Sequence, residues 1–214
     1  MILSDVEFDA LYDPYLFNLN AQKFGLEDVF LNFTVLPPIT AFVFAPLSIL
    51  SPIVAKVFFN LLSASLFLWS LFRIIKYLGL DYWWVSLIPL LFFTPILSNF
   101  YQGQVYLLLL VLLLEGWLAE EKGNHWQSAV LWGLAAMLKI FPAILILFLL
   151  QEKKYRQIVR IASVCLALFS ISLLLVPIQF WMECVWNILP RVLSNEFNNP
   201  FTTSYQSMSV VFRK

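Results

Sequence analysis

Charge is what this sequence has least of: Asp, Glu, Lys and Arg make up only 12% of its 214 residues, 13 acidic against 13 basic, so the net charge is zero. That balance points to no class of partner, and nucleic acid is not expected among them. Cysteine is nearly absent too. Cys165 and Cys184 have no paired spacing, which excludes a disulfide framework or a cysteine-bound zinc and leaves two buried free thiols. His125 is the only histidine and has no ligand cluster beside it, so it reads as a solvated loop residue. No metal-ligand spacing stands out, and no cofactor is expected, with divalent-metal use left open. No cleavable signal peptide precedes the first polar stretch.

Apolar side chains fill the space that charge leaves. Hydrophobic residues are 61% of the chain and aromatics 17%, and mean hydropathy is +0.83. A soluble domain of this length cannot bury so much apolar surface, so the expected class is an all-α, polytopic helical membrane protein, whose helices satisfy their own backbone groups inside lipid. A multi-pass protein of the plasma membrane is expected.

Residues 1–37 are the most polar part, carrying Asp5, Glu7, Asp9, Asp13, Glu27 and Asp28 without an apolar run long enough to span. They read as an outer loop with short interfacial helices. After Pro37-Pro38, residues 38–178 should hold the transmembrane and re-entrant helices: a short interfacial helix to Leu50, then a full span from Pro52 that ends at the basic pair Arg73 and Lys76 on the cytoplasmic side. Tyr82 to Leu97, with Pro89 and Pro95, should return outward as a kinked span and deliver Ser98 to Gln104 as an outer loop. Val105 to Leu118 comes back in, ending at Glu120-Glu121-Lys122.

Trp126 to Leu150 offers a choice between one kinked crossing and a hairpin of two short arms. A single crossing would place Lys153, Lys154, Arg156 and Arg160, the densest basic cluster, on the outer face, so the hairpin is preferred. Its re-entrant or broken helix pair turns at Lys139-Ile140-Phe141-Pro142, and arms of about 12 residues, roughly 18 Å, carry that bend past mid-bilayer. Ile158 to Pro177 makes the last span, and residues 179–214 form an outer-side interfacial segment in which Trp181 and Trp186 suit the membrane surface.

This topology brings the acidic first loop, the Gln102-Gly103-Gln104 turn, the Lys139 bend and the polar tail to one face. Because a charge in hydrocarbon costs at least a few kcal/mol, Lys139 must face a cavity, a partner or a bound anion. Two uses are open: Lys139 neutralises the phosphate of a lipid-linked donor while a carboxylate acts as general base, or Lys139 forms a structural ion pair with Glu115.

Three blocks in order resemble the integral-membrane glycosyltransferases of family 87. They are Leu36-Pro37-Pro38 with Ala45-Pro46-Leu47; Gly103-Gln104-Val105, with Tyr106 where that family usually has Asn; and Gly133-Leu134-Ala135 through Lys139-Ile140-Phe141-Pro142 to Lys153-Lys154-Tyr155-Arg156. A fourth, Thr203-Ser204-Tyr205-Gln206-Ser207-Met208 with Arg213, is similar to its Asn-Gln-Ser-Leu segment and following arginine. The resemblance implies a C-type glycosyltransferase fold. It also implies transfer of a hexose, mannose foremost, from a polyprenyl-phosphate-linked donor to a lipid or glycan acceptor outside the cytoplasm, with inversion.

Carried over residue by residue, the resemblance makes Asp9, ahead of Asp5, the catalytic base, Lys139 and Arg213 the donor-phosphate ligands, and Gln104 and Gln206 substrate ligands, with no metal ligand. A second register equates Leu11-Tyr12-Asp13-Pro14 with a later turn and places the base upstream of Met1. Relatives are about twice this length, so the resemblance implies a fragment or truncated reading frame. The rival readings are a transporter or flippase of lipid-linked sugar and an inactive remnant.

Overall fold

The computed structural model describes residues 14–22, 36–81, 94–174 and 176–193. In chain order its helices are α1 (Pro14–Gln22), α2 (Thr40–Phe44), α3 (Pro52–Leu78), α4 (Thr94–Gln102), α5 (Tyr106–Glu121), α6 (His125–Leu138), α7 (Leu145–Gln151), α8 (Tyr155–Leu173), α9 (Ile178–Glu183) and α10 (Leu189–Leu193). A 3-10 turn, Ala45–Ile49, continues α2, and another, Phe141–Ile144, precedes α7. The described residues are all-α, with no strand.

The chain divides into two compact units, residues 1–38 with 175–214, and residues 39–174. In the first, α9 passes through a π-helical stretch, Cys184–Ile188, into α10. Pro190 accounts for the widened turn, since its ring cannot accept ordinary α geometry behind it. Phe180, Trp181, Cys184 and Ile188 make one buried stripe, while Trp186 stays exposed. Both cysteines are free thiols, as their spacing implied, but only Cys184 is buried; Cys165 is half-buried.

The second unit is a helix bundle. Prolines set its starts: Pro46 and Pro52 each stand in a first turn, where a missing N–H costs nothing. α3 and α8 are long and apolar enough to cross a membrane; at 27 and 19 residues they run about 40 and 28 Å. Ile53, Val57, Leu61, Leu68 and Phe72 leave one face of α3 open to an apolar solvent, while Phe59, Ser63, Phe67, Ser70 and Ile74 turn inward. Phe67 packs on Leu107 and Val111, and Tyr77 meets Trp117 edge-on at 5.9 Å, so α3 and α5 run parallel.

Two contacts place α6 antiparallel to α5. His125 lies 3.0 Å from Glu120 beside the turn, and two helical turns on the Trp132 indole donates to the Leu113 carbonyl at 3.1 Å and fills the space where a side chain on Gly116 would stand. α6 runs parallel to α8, because Gln157 donates to the His125 carbonyl at 3.0 Å and, about two turns further along both helices, Gly133 lies against Val164 and Cys165. Leu149 of α7 shares a core with Ala129, Trp132 and Ile161. A continuous helix would put Ala129 and Leu149 about 30 Å apart. The chain therefore doubles back, and the expected hairpin is present: α6 rises to Lys139, and α7 returns to the end where α6 began.

Helix ends here share one device. At Gly103 the N–H groups of Gly103 and Gln104 reach back to Phe100 and Asn99, and the same pair of bonds closes α7, where Lys153 holds the left-handed position at φ 57°. Glu152 beside Lys154 holds that ammonium above the usual lysine range, against a weaker opposing effect of burial.

Two expectations change. Ser98 to Gln102 is helical, with Pro95 opening α4 and Gly103 closing it, so the outer loop shrinks to Gly103-Gln104-Val105. His125 is exposed as expected, but it is the first residue of α6 rather than part of a loop, its Nδ1 3.0 Å from the buried Glu120 carboxylate. Most of the expected Tyr82 to Leu97 span lies outside the described residues.

Candidate functional site

Pro142 makes the break on which the site is built. Its ring would collide with the carbonyl of Leu138, four residues back, so α6 ends there and Lys139 turns extended at φ −153°, ψ 137°. The stranded Leu138 carbonyl accepts a hydrogen bond from the Thr40 hydroxyl at 3.2 Å, with Thr40 only 2% exposed. At membrane depth an irregular backbone is tolerable only when satisfied in this way or by water.

The Lys139 side chain leaves the bend toward the start of α5. Its ammonium donates to the Tyr106 hydroxyl and lies 3.8 Å from the centre of the same ring. Phe141 flanks Tyr106 with ring centres 6.4 Å apart. Both partners are neutral. Cation–π contact returns about 1–2 kcal/mol, less than the several kcal/mol a desolvated ammonium loses.

Glu115 does not supply the missing charge. Its carboxylate pairs with Arg73, whose guanidinium also stacks 4.6 Å from the Trp69 ring, and Glu115 sits nine residues, about 14 Å, down α5 from Tyr106. The Lys139–Glu115 pair considered from sequence is therefore excluded by the fold. Arg73 lies at the correct height because α3 runs parallel to α5.

Gln104 stands two residues before Tyr106, hence within about 7 Å of it along the backbone. Its amide donates to Gln102, whose own amide donates to Ser98 at 3.2 Å. Lys56, from the first turns of α3, braces this turn: its ammonium donates to the Tyr101 carbonyl at 2.6 Å, and its stem lies 3.3 Å from where a Gly103 Cβ would be. Asn60 donates to the neighbouring Phe100 carbonyl at 2.9 Å. A cation at a helix C-terminus also favours the helix dipole.

Of the site residues expected from sequence, Lys139 and Gln104 come together at one end of the bundle. Asp5, Asp9, Gln206 and Arg213 lie outside the described residues. Tyr106, Thr40, Lys56 and Tyr101 were missed. A lone threonine and a lone lysine in the apolar stretch from Ile39 to Phe72 were the available signals. Among the described residues no three His, Cys, Asp or Glu side chains are grouped to hold a metal ion.

Chemically, this end of the bundle offers an ammonium with no carboxylate partner among the described residues, amides with spare hydrogen-bonding capacity, and exposed aromatic rings. That set fits a ligand carrying both a negative charge and hydroxyls. No curated protein and no solved structure matches the chain. A family model, Glycosyltransferase family 87, matches residues 33–214, most of the chain and all the described site residues. The chain thus belongs to glycosyltransferase family 87, and is a membrane glycosyltransferase.

Proposed function

We propose that the chain transfers a hexose, mannose foremost, from a polyprenyl-phosphate carrier to a lipid or glycan acceptor on the outer side of the plasma membrane, as a multi-pass enzyme. The observation that carries this reading is the state of Lys139. Among the described residues its ammonium, at a helix break, has only the Tyr106 phenol as partner, while the buried Glu115 carboxylate is already matched to Arg73. An anion completes such a site, and a lipid phosphate reaches this depth as a soluble anion does not.

In the proposed reaction a carboxylate of the first loop, Asp9 or Asp5, takes the proton of the acceptor hydroxyl. The oxygen attacks the anomeric carbon, the bond from that carbon to the phosphate oxygen breaks, and its electron pair leaves with the lipid phosphate. A single displacement inverts the anomeric centre. The phosphate gains a negative charge as the bond breaks, so Lys139 binds the transition state more strongly than the ground state. Arg213 is the proposed second phosphate ligand, and Gln104 and Gln206 bind sugar hydroxyls. The reading assigns no cofactor.

Membranes carrying the chain, incubated with radiolabelled polyprenyl-phosphate mannose, test it. Transfer to lipid or glycan acceptors is expected, with loss of about 100-fold or more for Lys139→Gln at equal protein abundance. Absence of transfer with every polyprenyl-phosphate hexose tried, from protein that inserts normally, overturns the reading.

A further inference from the structure

The end of α4 carries a surface that the donor-phosphate site does not use. Tyr101 is 82% exposed, yet its position is fixed. Lys56 reaches across from α3, holds the Tyr101 carbonyl at 2.6 Å and lies 5.6 Å from the ring centre, so one side of the ring is braced and the rest is open. Beside it runs a ladder of neutral polar groups, Gln104 donating to Gln102 and Gln102 to Ser98. Each rung keeps capacity in reserve: the Gln104 carbonyl and second amide hydrogen, the second Gln102 amide hydrogen, and the Ser98 hydroxyl hydrogen.

An open aromatic face next to amides with both donors and acceptors matches a pyranose. The ring's C–H face packs on the aromatic, and neighbouring hydroxyls pair with amides that alternate donor and acceptor. An interfacial anchor needs only a tyrosine at the right height; it needs neither a brace from another helix nor an amide ladder.

We propose that Tyr101, Gln102 and Ser98 form a subsite for the neutral sugar ring of the acceptor, with Gln104 shared between this subsite and the donor. Assigning it to the acceptor rests on the glycosyl-transfer reading above; sugar binding itself does not. The geometry is economical: Tyr106 marks the donor phosphate, Gln104 stands within about 7 Å of it, and a sugar seated against Gln102 presents a hydroxyl toward the anomeric carbon.

The test uses the full chain in lipid nanodiscs with methyl α-mannopyranoside as a neutral probe, read by saturation-transfer NMR, together with acceptor and donor KM in the transfer assay. Tyr101→Phe keeps the contact to the sugar C–H protons. Tyr101→Ala weakens probe binding, and raises acceptor KM, by about fivefold with donor KM unchanged. Gln102→Ala, which leaves the aromatic in place, weakens the probe by about threefold and covers the case in which Tyr101→Ala fails to insert. Unchanged probe binding in Gln102→Ala and in any inserted Tyr101→Ala, or no probe contact with the wild type, overturns the subsite. Probe binding that depends on Tyr101 without any sugar transfer upholds the subsite while the transfer reading fails.

Discussion

Replacing Arg73 by leucine removes the cation that makes Glu115 tolerable. The Glu115 side chain is 7% exposed, and its Oε1 has no hydrogen-bond partner even with Arg73 in place, so no neighbour stands ready to substitute. Breaking a buried pair costs about 3–5 kcal/mol. Because the Arg73 side chain keeps 32% exposure, a value at the low end of that range, about 3 kcal/mol, is expected, or roughly 6–12 °C in apparent Tm. Part of the loss in Arg73→Leu comes from the Trp69 stack, but the double variant Arg73→Leu/Glu115→Leu loses that as well, so a double-mutant cycle removes it. The double variant should return to within about 1 kcal/mol of the wild type, since two leucines replace two charges. Apparent Tm of the purified chain in nanodiscs, at one scan rate, reads all four proteins. A coupling below about 1 kcal/mol refutes the pairing. Coupling of Glu115 to Lys139 instead would also undo the argument that Lys139 awaits an anion.

Gly116→Ala places a methyl 2.4 Å from the Trp132 indole, which must shift and give up its bond to the Leu113 carbonyl; a loss of about 2 kcal/mol in thermal unfolding is expected, against the usual gain from alanine in a helix. Lys153→Gly should do the reverse and raise stability by about 0.5–1 kcal/mol in the same assay, because the left-handed backbone at φ 57° strains any residue with a Cβ.

Much of the bundle was legible before any coordinates. Pro52 announced the start of α3, Pro142 the break at Lys139, and the cluster from Lys153 to Arg160 forced the hairpin, because charge distribution decided what hydropathy left open. Partners across the bundle were not legible. Arg73 meets Glu115 because two helices run parallel at a particular height, and neither residue's neighbours in sequence encode that height. Lys139 finds Tyr106 for the same reason. His125 was misread because its partner, Glu120, lies on the far side of a tight turn that returns it to the same end. Ser98 to Gln102 looked like a loop by composition, yet Pro95 and Gly103 bracket it as a helix opens and closes. Thr40 was silent because its task is to accept the consequence of a proline about one hundred residues later.

The hairpin of α6 and α7 also fixes parity. A helix pair that returns to its starting face adds nothing to the count of crossings, so α8 points the same way as α6 instead of alternating with it. In the proposed membrane topology the sidedness of α8 rests on Leu145–Gln151 being too short to finish a crossing. Lengthening that stub into a full span would, in that topology, turn α8 upside down without altering a single residue within it.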